Sequence, residues 1–449
     1  MSRSTKKAAA SGTSSDEILR KDSKYIAHGG GRTPIVFVEA KGSIVTDANG
    51  KEYIDCVSMG MGTSGVGHSH PRVVEAIREQ AGKIIHTHLS TVNIPSVELG
   101  EKLARITPHG LNKFHFVNSG TDANETAIRA AMTYTKKKEV LSLELGYHGT
   151  TIALSSLGMS YSRHAYPTVP GFRQLPPPYC YRCPLGLDFP RCDVACANLL
   201  DDAIKYATSH DVAAFILEPI MGAAGHIVPP GKEYAKIIRE TCDRHDILII
   251  ADEIQTGLGR TGTMWASDYI GLKPDIMTLG KGLGGGMPIG AAVFSEEVGS
   301  MLQKGTWAHG YTHSESPMSC AAAGAVVDIV VDEKLPERSA RLGAIATKIF
   351  KQWQSKYEAI GDVRGPGLFI GLELVKNKIT KERATEEATK IAAEALEMGG
   401  IFSTSHGASQ QPGGNVVKFK PPMTIEEDLM KKGIDILDDA FTRVLGGAT

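Results

Sequence analysis

Residues 247–281 read ILIIADEIQTGLGRTGTMWASDYIGLKPDIMTLGK, and the order of residue types in this stretch decides the fold class. An apolar run at 247–251 ends on Asp252. A Gly-rich turn and a segment of helix length follow, and a second apolar run at 276–279 ends on Gly280 and Lys281. Short apolar runs without polar alternation are expected of strands buried on both faces, as in a parallel sheet covered by helices. The same phrase of strand, turn and helix recurs around 114–117, 140–143 and 215–217. Strands alternating with helices imply an α/β domain around a mostly parallel sheet.

Outward from this centre the pattern changes. Residues 35–38 and 43–46 are extended in type and are joined to the next strand by Asp47-Ala48-Asn49-Gly50, which predicts a short meander of two or three strands. After Gly67-His68-Ser69-His70-Pro71, Val73, Ile77 and Ala81 fall on one helical stripe. Past about Ala325 the chain reads as largely helical, with two short strands at 368–373 and 415–419. The expected organisation is a disordered tail over 1–18, the N-terminal part of a small domain over 19–75, a large domain over 76–325 and the C-terminal part of the small domain over 326–449. The small α+β domain is thus built from both chain ends.

Composition narrows the function classes. Net charge is −1 with 22% charged and 42% hydrophobic residues, which points to no nucleic acid and no anionic membrane surface as partner. No apolar run approaches the ~18 residues of a membrane span. The first residues are rich in Ser, Thr, Lys and Ala without an apolar core, so they read as a tail and not as a secretory signal. Seven cysteines in 449 residues do not form a disulfide scaffold, and a reducing cytoplasm is expected.

In open α/β sheets ligands collect at the carboxyl ends of the strands. Three such ends carry Glu218, Asp252 and Lys281, and a fourth opens into Ser119-Gly120-Thr121-Asp122 at a helix start. Gly120 lets backbone amides converge, Thr121 adds a hydroxyl, and the helix N-terminus suits a phosphate dianion. Ser119 with Asp122 also reads as an ordinary capping box, and the two readings are compatible. Asp252 and Lys281 are separated by one strand–helix–strand unit. A pyridoxal cofactor needs such a pair: a lysine to form an imine and a carboxylate to keep the ring nitrogen protonated. The bland alternative is a surface lysine in a Gly-rich loop and a capping aspartate.

With these residues on the page, the chain from about Tyr25 onward resembles the class III aminotransferases, fold type I pyridoxal-phosphate enzymes. The resemblance rests on Gly67-His68-Ser69-His70-Pro71, Asn118-Ser119-Gly120-Thr121-Asp122-Ala123-Asn124-Glu125 and Gly146-Tyr147-His148-Gly149. It rests equally on Glu218-Pro219-Ile220, on the run from Ala251 to Gly262 and on the run from Leu279 to Pro288. The fold implied is a large domain with a mixed, mostly parallel sheet flanked by helices. The cofactor implied is pyridoxal 5'-phosphate, held as a Schiff base on Lys281, which also moves the substrate proton. The resemblance further implies that Asp252 pairs with the ring nitrogen, Tyr147 and Ile254 cover the ring faces, and Gln255 reaches the ring hydroxyl. It places Gly120 and Thr121 on the phosphate, with His148 and Glu218 lining the pocket. His309-Gly310-Tyr311-Thr312 resembles the segment whose threonine completes the phosphate site of a neighbouring subunit, which implies a homodimer with shared active sites.

Two features depart from the family pattern. Cys180-x2-Cys183-x8-Cys192-x3-Cys196 has spacing that permits a metal site, although reduced thiols in a packed loop or disulfides satisfy it too. Near the C-terminus the family often places an arginine that clamps an α-carboxylate. This chain has Lys418 in Val417-Lys418-Phe419-Lys420-Pro421-Pro422, a point charge without the planar fork. The activity implied is transfer of an amino group from an ω-amino acid or amine to a 2-oxo acid such as pyruvate or 2-oxoglutarate. A phospho-lyase, decarboxylase or racemase on the same scaffold is the alternative.

Overall fold

A computed structural model describes residues 14–28, 32–159, 165–303, 309–405 and 414–446. The predicted meander forms as β1 (Phe37–Lys41), β2 (Ile44–Asp47) and β3 (Glu52–Asp55), all antiparallel neighbours. The turn between β2 and β3 is closed by Gly50 N–H donating to the Asp47 carbonyl at 3.0 Å.

The central sheet holds β4 (Leu111–Val117), β5 (Glu139–Leu143), β6 (Phe172–Leu175), β7 (Val212–Leu217), β8 (Leu248–Asp252), β9 (Ile276–Leu279) and β10 (Gly290–Ser295). Its order is β4-β10-β9-β8-β7-β5-β6. β10 runs antiparallel to both neighbours and the remaining pairs are parallel. β4, β7, β8 and β9 therefore end on one edge of the sheet. The uninterrupted apolar runs are explained by burial on both faces: Phe215, Leu217, Ile249 and Ala251 enter one core cluster, while Ala214, Ile216 and Ile250 enter another. This is the period-2 alternation of a strand with a core on each side.

The remainder contains β11 (Ile360–Arg364), β12 (Ile370–Leu374), β13 (Gly400–Ile401), β14 (Ser403–Thr404) and β15 (Val416–Phe419). β11, β12, β15 and β14 form a second small sheet, and β13 pairs in parallel with β3, with Gly400 opposite Ile54. Ile54 and Cys56 share one core with residues from Leu342 to Phe441, so the chain's two ends build a common hydrophobic unit.

Several sequence expectations are corrected. Only two strands were expected after Ala325, whereas β11, β13 and β14 also form. Gly361 and Asp362 interrupt the apolar pattern of β11, and the other two are only two residues long each. The tail expected over 1–18 gives way to a helix at Ser15–Tyr25, capped by Ser14 Oγ, which accepts from Glu17 N–H at 3.2 Å. Residues 1–13 of that expectation lie outside the described residues. The boundaries expected at 75/76 and 325/326 fall inside helices Pro71–Ala81 and Pro317–Asp332, which pack on each other, so neither position is a break in the backbone. Ala81, on the same helical stripe as Val73 and Ile77, ends its helix and is exposed. Among the described residues no helix is long and apolar enough to cross a membrane.

Candidate active site

Asp252 is the last residue of β8 and is 3% exposed. Its Oδ2 accepts from Asn124 Nδ2 and from His148 Nδ1, both at 2.8 Å, and its Oδ1 accepts from Ile254 N–H at 3.1 Å. Asn124 is itself fixed: its Nδ2 also donates to the His148 carbonyl at 2.7 Å, and its Oδ1 accepts from Thr278 Oγ1 at 2.7 Å. Because Asp252 lies opposite Thr278 in the β8–β9 register, one amide ties two strand ends to the helix Gly120–Thr135. His148 Nε2 is buried and has no hydrogen-bond partner among the described residues.

Lys281 follows β9 through Gly280 and has φ 42°, a left-handed conformation rare for a residue with a side chain. Such strain is kept where the surroundings over-determine the backbone, and here a side chain must leave a tight turn at a strand end. Three elements meet at this turn. A Cβ added to Gly120 would stand 2.8 Å from Ile254 Cδ1, and one added to Gly280 would stand 3.4 Å from Gly120 Cα. Only glycine at 120 lets the helix start approach Ile254 so closely. Ser119 Oγ accepts from Asp122 N–H at 3.1 Å, so the cap anticipated from sequence forms beside the cavity.

Glu218, one residue past β7, is held by two backbone donors, Tyr147 N–H to Oε1 at 3.0 Å and Gly222 N–H to Oε2 at 2.8 Å. Burial, with the Asp252 charge second, pushes its carboxyl up to about 7. Burial also lowers the Lys281 ammonium from its usual range, opposed by the charges of Asp252 and Glu218.

A cavity of about 390 Å³ joins these elements. Of the residues singled out from sequence, Gly120, Thr121, Tyr147, His148, Ile254, Gln255, Lys281 and Lys418 line it, with Asp252 and Glu218 bonded just behind its wall. Thr312 does not: it is exposed and away from the cavity of its own chain. Lys418 is 4% exposed on β15, its side chain forms no hydrogen bond or ion pair among the described residues, and its ammonium is driven down to about 8 by burial and by the Lys281 charge.

Sequence reading missed two contributors. Asn124 stood inside a quoted motif, four positions along the helix from Gly120 and hence on the same face. Lys420 follows Lys418 by two residues, so strand alternation turns both to one side, and it too lines the cavity.

The four clustered cysteines, Cys180, Cys183, Cys192 and Cys196, are free thiols. Among the described residues no group of His, Cys, Asp and Glu side chains is arranged to hold a metal ion. The loop is instead tied to the C-terminal unit. Tyr179 and Arg182 donate to the buried Glu373 carboxylate, and Lys381 Nζ donates to the Tyr181 carbonyl at 2.8 Å.

Residues 25–441 match the family described as aminotransferase class-III. Among curated relatives, the chain is 40% identical over 418 residues to a leucine/methionine racemase of Thermococcus litoralis, covering 92% of each. It is 36% identical to an acetylornithine aminotransferase of Methanothermobacter thermautotrophicus, covering 94% of this chain and 98% of the relative. Among solved structures, a Bacillus anthracis aminotransferase superposes with TM-score 0.90 at 32% identity, covering 97% of this chain and 100% of that one. The ω-transaminase from Pseudomonas jessenii in complex with PMP superposes with TM-score 0.88 at 30% identity, covering 95% and 98%.

Proposed function

The chain belongs to the class III aminotransferases, and on that premise we propose that it moves an amino group from an ω-amino acid or simple amine to a 2-oxo acid, pyruvate or 2-oxoglutarate. The family's cofactor is pyridoxal 5'-phosphate, whose ring takes up the electron pair left when the substrate carbon loses its proton. The residues present fit it. At Gly120 any Cβ would strike Ile254, so the helix start keeps bare backbone beside the cavity, His148 Nε2 is an orphaned polar atom, and Asp252 is a buried carboxylate aimed by two side-chain donors.

In this reading Lys281 would hold the cofactor, and its amine would take a proton from the donor's carbon and return it. Its lowered proton affinity suits a base. Asp252 keeps a proton on the ring nitrogen, with Asn124 and His148 holding the carboxylate in place. Gly120 and Thr121 would bind the phosphate, Tyr147 and Ile254 would lie against the ring, and Gln255 would donate to the ring hydroxyl.

The observation that carries the substrate class is the pair Lys418 and Lys420, buried, without ion pairs, and lining the same cavity as Lys281. A buried amine without an anionic partner has its proton disfavoured, and a bound carboxylate would restore it. An ω-amino acid supplies one at a distance from its amine. A lysine in place of the forked guanidinium favours this over tight bidentate capture of an α-carboxylate. Comparing kcat/KM across donors tests the reading: an ω-amino acid or amine should exceed every common α-amino acid. A large preference for glutamate or for the α-amine of ornithine would contradict it, and phosphate release from phosphoethanolamine would place the enzyme with the lyases.

Exposed Thr312 supports a homodimer in which it completes the partner's phosphate site. The exposed apolar run Ile84, Ile85, Leu89, Val92, Ile94 and Val97 offers a face for the second copy. The free cysteines fit the reducing cytoplasm. A second reading, amino-acid racemisation, is favoured by the 40% identity to the Thermococcus racemase. It uses the same Lys281 and Asp252 but releases no carbonyl product.

A further inference from the structure

Lys420 is 1% exposed, yet among the described residues its Nζ makes a single hydrogen bond, donated to Gln255 Oε1 at 3.2 Å. Three features fix this contact. The Lys420 backbone is held on both sides, its N–H donating to the Cys56 carbonyl at 2.9 Å and its carbonyl accepting from Ser58 Oγ at 3.0 Å. The next carbonyl, Pro421, accepts from the buried guanidinium of Arg260. Gln255 Oε1, in turn, fills space that only glycine leaves at position 222, where a Cβ would stand 2.3 Å away. With its oxygen turned to Lys420, the carboxamide presents its NH2 on the other side.

We propose that Lys420 is a positioning residue: it fixes the Gln255 carboxamide with its NH2 free to donate to the cofactor's ring hydroxyl, so the segment following β15 governs the electronics of the ring held by Lys281. The inference rests on the assignment of Gln255 to that hydroxyl. The charges felt at Lys420 are those of Lys418, Lys281 and Arg260, which disfavour its proton, and of Asp55, which favours it; His226 also faces it. A cation in this place is costly, and a methionine would fill its volume without that cost. Its presence therefore calls for a role beyond packing.

The test is a pH titration of the visible band of the bound cofactor in the holoenzyme. A hydrogen bond donated to the ring oxygen disfavours a proton on the nitrogen that links Lys281 to the ring, because it holds that oxygen's charge in place. Lys420→Met should therefore raise the midpoint by about one pH unit, the scale of one hydrogen bond to a charged group. Lys420→Arg should restore it. In a Gln255→Met background, Lys420→Met should add no further shift. An unchanged midpoint in Lys420→Met, or the same shift with Gln255 already removed, overturns the proposal. Should Lys420→Met fail to fold by circular dichroism, Lys420→Leu takes its place, with the same shift expected and its absence fatal. A wild-type holoenzyme with no visible band would instead remove the pyridoxal reading itself, so the two failures are distinct.

Discussion

The side-chain amide of Asn124 donates to Asp252 Oδ2 at 2.8 Å across 128 positions of sequence, and this bond joins the helix after β4 to the end of β8. The carboxylate proposed to face the ring nitrogen is thereby held by a residue from another strand–helix unit.

Asn124→Leu removes three side-chain hydrogen bonds, to Asp252, to Thr278 and to the His148 carbonyl, and leaves those groups without this partner. A loss on the order of 1–3 kcal/mol in stability is expected, together with weaker cofactor retention. Thermal melting and cofactor titration measure both, and wild-type retention would show that His148 alone suffices.

Thr312→Ala should weaken cofactor binding although Thr312 lies outside its own chain's cavity. Mixing this variant with Lys281→Ala tests the geometry: heterodimers contain one site with both defects and one with neither, so activity should partly recover. No recovery despite demonstrated subunit exchange would count against a shared site.

Glu218 sets a pH dependence of stability. Its carboxyl stands at about 7 in the fold against an ordinary 4.5. A raised carboxyl pKa means the fold holds more protons than the unfolded chain between these values. The contribution is complete below 4.5 and is lost as pH rises to about 7. The amount is on the order of 3 kcal/mol. Denaturant titrations of cofactor-free Glu218→Gln should lack this slope, whereas an identical slope in both proteins would refute it.

Lys418 sets a second window. Its ammonium, with a pKa near 8, is charged below that pH. Affinity for a carboxylate-bearing donor should be level below pH 8 and fall by up to about tenfold per unit above it. Lys418→Arg should abolish the decline, because a guanidinium keeps its charge throughout. A decline unchanged in that variant would assign it to another group.

Much of this was legible beforehand, for identifiable reasons. β8 and β9 bury both faces, so their apolar runs and terminal Asp252 and Lys281 stand out in the chain. Helix Ser15–Tyr25 buries no residue and shows only its Ser14 cap and acidic first turn, so no apolar stripe announces it. The parts of Asn124 and Lys420 depend on partners 128 and 165 positions away, a relation no local pattern carries. Thr312 stands out through its motif alone, and the role proposed for it needs a second chain.

The central claim is amino-group transfer, and the donor half-reaction tests it most directly. Holoenzyme mixed with an ω-amino acid and no acceptor should release about one carbonyl product per site and convert its cofactor to the amine form, with Lys281→Ala doing neither at a comparable rate. Interconversion of amino-acid enantiomers with no carbonyl released and the cofactor spectrum restored would contradict the account and assign the enzyme to the racemases.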